Sequence, residues 1–314
     1  MFVIAGEALI DFIAASDGRY QPVAGGAPFN FARALALQGI EAGYVNPFSS
    51  DGFGTTLGES LASSGAKALG PALAKPTSLA LVSKTADGQP RYQFYRDGVA
   101  DRALTSEQII ARFNEQTIGF HSGGLALVPP DHAVIIKAQQ GARERGMLCT
   151  VDVNMRPQVA SSMDIALADY RDAALAAIRG AHIVKVSDED LQHLNFSGPP
   201  VEAARRLLSD TCKLIVLTLG VSGAWAISKM HTMFHAAEVV KVRDTVGAGD
   251  CFFAGFIASL ARAGAITALL TDEVDELVLT QALRHASRCA AINITREGCQ
   301  PPTWDEVVGA GARG

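Results

Sequence analysis

Short apolar runs rich in β-branched residues recur along the chain at 44–48, 147–153, 182–186 and 213–219, and each reads as a buried strand. Helical patterns lie between them. Residues 29–37, 131–145 and 165–179 carry apolar side chains at three- and four-residue spacing and run into Gly39, Gly146 and Gly180, each predicted as a left-handed C-cap. This βαβ alternation predicts a mostly parallel sheet covered by helices on both faces. Residues 1–13 read as the first strand, with Glu7 and Asp11 in place of the basic start of a signal peptide, so the cytoplasm is the expected compartment.

Two segments break the alternation, 9–23 and 78–96, the second with Asp87-Gly88 between two β-rich runs. An Asp-Gly pair in that setting is a hairpin signal, and a hairpin cannot continue a parallel sheet. A small separate sheet is therefore predicted from about 10–24 and 78–100, of the kind that closes over an active site. No repeat or linker divides the chain, so residues 1–314 are predicted as one α/β domain carrying this β lid.

Composition narrows the function classes. With 48% hydrophobic and 19% charged residues, the 314-residue chain can bury a large core, which excludes disorder. Its 27 Lys and Arg against 32 Asp and Glu leave a net charge of -5 and no basic cluster, so nucleic acid and anionic membranes are not expected as partners. The five cysteines are scattered without a C-x-x-C pair, and the seven histidines show no ligand spacing.

The most informative stretch is Asp244-Thr245-Val246-Gly247-Ala248-Gly249-Asp250, followed by a helical run to Arg262. Small residues before a helix start leave unpaired N–H groups and the positive end of the macrodipole open to an anion. A carboxylate at Asp250 gains from the same dipole, which would depress its pKa, and can serve as N-cap. A bare G-x-G would be no more than a capped turn; Asp244 and the run through Asp250 turn the reading toward chemistry. Asp11 is a second candidate, since a carboxylate inside an apolar strand needs a partner, and on the residues alone a turn that it caps is the simplest one.

These motifs together resemble the ribokinase-like (PfkB-type) carbohydrate kinases, whose signature reads D-T-x-G-A-G-D. Gly25-Gly26-Ala27-Pro28-Phe29-Asn30 is similar to the family's sugar-binding G-G-x-x-x-N, residues 152–156 to its D-x-N-x-R, Leu217 to Ala224 to the strand and turn that cradle ATP, and residues 295–298 to its adenine-side segment. The resemblance implies a three-layer α/β/α fold with a mostly parallel central sheet and a small β-sheet lid. It implies Asp250 as general base and Gly247, Ala248 and Gly249 as the anion hole. It implies sugar contacts from Asp11, Gly25, Gly26, Asn30, Tyr95, Arg96 and Arg156, and ATP contacts from Ser187, Thr218, Gly220, Gly223 and Ser287. Mg2+ is the implied metal, and a monovalent cation such as K+ is implied near Asp244. The family's N-x-x-E appears here as Ser187 and Asp190, so Asp190 either meets the metal through water or closes a capping box. A homodimer formed through the lid is also implied.

Within the family, residues 6–12 and the flap at 94–101 are most similar to bacterial fructokinases, implying that ATP and D-fructose give fructose 6-phosphate. A 2-keto-3-deoxygluconate kinase, using Arg96 and Arg156 against the sugar carboxylate, is the alternative. A catalytically silent sugar or nucleotide sensor is the alternative of another class. Neither a G-x-x-x-x-G-K-[ST] loop nor H-R-D and D-F-G motifs occur, which leaves out P-loop and protein-kinase chemistry.

Overall fold

The computed structural model describes residues 1–15, 17–84 and 90–310. Its main sheet has nine strands in the order Thr232–His235, Ala224–Ser228, Leu214–Thr218, Ile183–Ser187, Leu148–Asp152, Gly119–Gly123, Phe2–Ile4, Ala42–Tyr44 and Lys67–Ala68. From Leu214–Thr218 onward every neighbouring pair is parallel, and the first two strands of the series pair antiparallel. Strand parity sorts the core into two layers. Val3, Phe120, Val151, Val184 and Ile215 face one, with the helices His132–Arg143 and Leu167–Arg179. Ile4, Leu148, Ile183 and Val216 face the other, with Phe29 and Phe31 of Ala27–Leu37 and Phe253 and Phe256 of Ala248–Arg262. This is the three-layer arrangement expected of parallel strands buried on both faces.

Three local expectations need correction. The run at 44–48 splits, because Pro47 has no N–H to donate: Ala42–Tyr44 stays in the main sheet and Phe48–Ser49 pairs with Ala72–Leu73. Gly39 and Gly146 are left-handed, at φ +78° and +69°, but Gly180 keeps right-handed geometry at φ -88°. Gly180 is small for another reason, since a Cβ there would collide with Oε1 of Gln139. The signature helix starts earlier than expected, with Gly247 as N-cap at φ +71°, so Asp250 lies inside the first turn and is not the cap.

The second sheet runs Tyr20–Gly25, Leu9–Ala14, Ser78–Lys84, Pro90–Tyr95. Each end pair is antiparallel, and the two hairpins join through the parallel pairing of Leu9–Ala14 with Ser78–Lys84. The Asp87-Gly88 turn lies outside the described residues. Among the described residues no helix is long and apolar enough to cross a membrane.

Candidate active site

Between the second sheet and the carboxyl ends of the parallel strands lies a cavity of about 330 Å3, lined by Asp11, Asn30, Asp152, Arg156, Lys185 and the run from Thr245 to Asp250. That size suits a small polar metabolite. Asp250 reaches it from the first turn of Ala248–Arg262, and Asn30 from Ala27–Leu37; the Asn30 Nδ2 donates to Asp250 Oδ2 at 2.9 Å. Both are buried, and Asn30 Oδ1 has no partner among the described residues, which leaves an acceptor open to a hydroxyl. The helix begins on small residues because the chain must turn left-handed at Gly247, where a Cβ would collide with Cys299 Sγ.

Asp11 enters from Leu9–Ala14, and its carboxylate lies over the backbone of Gly25, two residues beyond its register partner Val23 in the hairpin. A Cβ on Gly25 would collide with Asp11 Oδ2, so the glycine is what lets this carboxylate lie there.

The electrostatics depart from the sequence-based expectation. Burial, reinforced by the Asp152 charge, pushes Asp250 up to about 7, although Asn30, Lys185 and Arg156 oppose the shift. The helix dipole was expected to depress it, and desolvation wins because the carboxyl is buried rather than at the exposed cap. Burial also raises Asp11 to about 6 against the pull of Arg156. Glu7, whose oxygens accept from Ala27 N and Leu125 N at 3.1 Å, is raised by burial to about 7.

The pfkB family carbohydrate kinase model matches residues 1–306. The chain belongs to that family. It is 32% identical to Fructokinase-2 of Solanum habrochaites, over 98% of this chain and 95% of that protein. It is likewise 32% identical to the fructokinase of Rhizobium leguminosarum bv. trifolii, over 91% and 86% of the two chains. The solved fructokinase of Xylella fastidiosa with bound ATP superposes with a TM-score of 0.86 at 26% identity, covering 98% of this chain and 97% of that one.

Against the family's pattern, the structure brings Asp11, Gly26, Asn30, Arg156 and the Gly247-Ala248-Gly249-Asp250 run around one cavity. Tyr95 and Arg96 lie outside it. Tyr95 is exposed, and Arg96 is buried with its Nη2 3.3 Å from Asp101 Oδ2. Tyr92 and Phe94, on the opposite strand parity to Tyr95, line the cavity instead. Ser187 and Thr218 are register partners at the carboxyl ends of their strands, next to the turn with Gly220 at φ +53° and Gly223 at φ +122°. Ser287 is buried in Glu276–Ile294, which packs on the signature helix and on Thr232–His235.

The two carboxylates expected near metal ions both accept from backbone N–H groups. Asp190 Oδ1 accepts from Met155 N at 2.8 Å, and Oδ2 accepts from Ser187 N and Oγ at 2.9 and 2.7 Å, so Asp190 closes a capping box with Ser187. Asp244 accepts from Val246 N at 3.1 Å and Gly298 N at 2.7 Å, tying the signature loop to the 295–298 segment. Among the described residues no three His, Cys, Asp or Glu side chains converge as a metal cage.

Sequence reasoning missed Lys185. Its Nζ lies 2.8 Å from both Asp152 oxygens, and the two side chains are 7% and 4% exposed. The signal was present: a lone charge in the apolar run 182–186 poses the same question as Asp11 in its strand.

Proposed function

We propose that the chain is an ATP-dependent fructokinase that moves the γ-phosphoryl group of ATP to the 6-hydroxyl of D-fructose. The observation that carries this reading is the Asp250 carboxylate, buried at a helix start, held by Asn30, and sharing one cavity with Asp11 and the Gly247-Ala248-Gly249 backbone. Asp11 and the free Asn30 oxygen accept from sugar hydroxyls, which fixes the ring. Asp250 takes the proton of the attacking hydroxyl. The helix-start amides of the Gly247-Ala248-Gly249 run meet the charge that spreads over the phosphoryl oxygens, where such a loose transfer needs stabilisation most.

ATP approaches from the side of Ser187, Thr218, Gly220, Gly223 and Ser287. Mg2+ would accompany it on its phosphates, in keeping with that ion's habit of binding through substrate oxygens and water, and no residue of this chain is assigned to it. The second sheet serves as the lid. Its outer strands, Tyr20–Gly25 and Pro90–Tyr95, have no further strand partner among the described residues, which favours pairing with a second copy.

Charge favours fructose over 2-keto-3-deoxygluconate. Glu7, Asp11, Asp152 and Asp250 line the cavity against only Lys185 and Arg156, and Arg96, the second arginine a sugar acid would need, is buried elsewhere. A neutral polyol meets no repulsion there. Steady-state ADP release with each sugar tests the choice: fructose is expected to have the higher kcat/KM, and a preference for the sugar acid would reverse it.

A pH dependence follows from Asp250. The base works only when ionised, so kcat/KM is expected to fall as pH drops through about 7. Stability moves oppositely: a carboxyl whose folded pKa exceeds its unfolded value favours the folded state when protonated, and that contribution is lost as pH rises through about 7. A rate profile flat from pH 5 to 8, checked on folded protein, would contradict the assignment.

A further inference from the structure

Lys185 and Asp152 are paired across adjacent parallel strands, on the face covered by the signature helix. A buried ion pair in a sheet gives little net stability over an apolar pair of similar volume, so its presence at a cavity wall asks for a chemical reason. An ammonium has three N–H donors. Asp152 Oδ1 and Oδ2 take two of them at 2.8 Å, and the third has no acceptor among the described residues. The ammonium also lies against the anion-hole backbone: a Cβ on Gly249 would stand 3.1 Å from Nζ, a tight contact. Lys185, Gly249 and Asp250 line the same cavity.

We propose that Lys185 is a catalytic residue of phosphoryl transfer, its free N–H donating to a non-bridging oxygen of the transferring group while Asp152 holds the ammonium in position. The inference rests on the sugar-kinase reading above. In the step, the sugar oxygen bonds to the γ-phosphorus as the bond from phosphorus to the bridging oxygen of ADP breaks. The electron pair of that bond leaves on ADP, the hydroxyl proton passes to Asp250, and Lys185 keeps its own proton throughout. Its fixed charge serves a site whose other phosphoryl donors are uncharged amides.

The test compares the wild type with Lys185→Met, Asp152→Asn and the double variant Lys185→Met/Asp152→Asn. Each is measured for single-turnover phosphorylation of fructose, fructose affinity, affinity for ADP with aluminium fluoride, and thermal melting. Lys185→Met is expected to slow the chemical step by about 10²-fold to 10³-fold, the range for loss of one transition-state donor. Fructose affinity stays within about threefold, and affinity for the aluminium fluoride complex falls in parallel with the rate. The double variant, which carries no orphaned carboxylate, melts near the wild type and stays as slow as Lys185→Met. Recovery of the double variant to within tenfold of the wild-type rate would show that Lys185 only neutralises Asp152, and would overturn the proposal. A loss confined to fructose affinity would overturn it too. A wild type that phosphorylates no sugar would remove the kinase reading itself, which separates that failure from this one.

Discussion

Asp250→Asn is expected to lower kcat by ~10²-fold to 10⁴-fold, the span typical of a general base, with binding of an ATP analogue nearly intact. The amide keeps the volume of the carboxylate and still accepts a hydrogen bond from Asn30 Nδ2, which lies 2.9 Å from Oδ2 in the native site, but it cannot accept the hydroxyl proton. Stability separates this from damage to the fold. Because burial and Asp152 raise Asp250 to about 7, the variant loses an ionised group that is unfavourable to the folded state above that pH, and it is expected to melt higher than the wild type at pH 8. Turnover near the wild-type rate, measured with saturating ATP and fructose, would remove Asp250 from the chemistry.

Asp11→Ala is expected to weaken fructose binding by well over tenfold with ATP affinity within a few-fold of the wild type. Hydrogen bonds to a charged group contribute about 1.5 to 3 kcal/mol each, and 1.4 kcal/mol is tenfold in affinity, so losing two exceeds that mark. Asp11 also carries a raised pKa, about 6, because it is buried with only the Arg156 charge to offset it. Its removal is therefore not expected to lower the melting temperature at neutral pH. Calorimetric titrations of fructose and of an ATP analogue on the folded variant check the claim. Equal loss for both ligands, with a lower melting temperature, would make Asp11 a brace for its strand.

The parts of the site that were legible in the sequence are those whose chemistry is local. The run Thr245 to Asp250 announces a helix start that receives an anion, because backbone donors and small side chains are contiguous there. Asp11 was legible for the opposite reason, as a charge out of place in an apolar strand. What stayed hidden depends on register and facing. Tyr92, Phe94 and Tyr95 put aromatic residues on both parities of one strand, so alternation alone does not say which side faces the cavity. Lys185 needed the register that sets it beside Asp152, 33 residues earlier in the chain. Asp190 could be read as a capping box, but its bond to Met155 N spans 35 residues. The sign of the Asp250 shift was missed because the dipole is visible in a sequence while the burial of the carboxyl in the folded site is not.

The most direct measurement is ADP release by the purified protein with ATP and Mg2+, with and without D-fructose, with the sugar product identified by mass and by its phosphate position. One ADP per fructose 6-phosphate formed, and negligible ADP without sugar, is the predicted result. ADP release indifferent to fructose, or sugar phosphorylation only with a carboxylate-bearing sugar, would contradict the account.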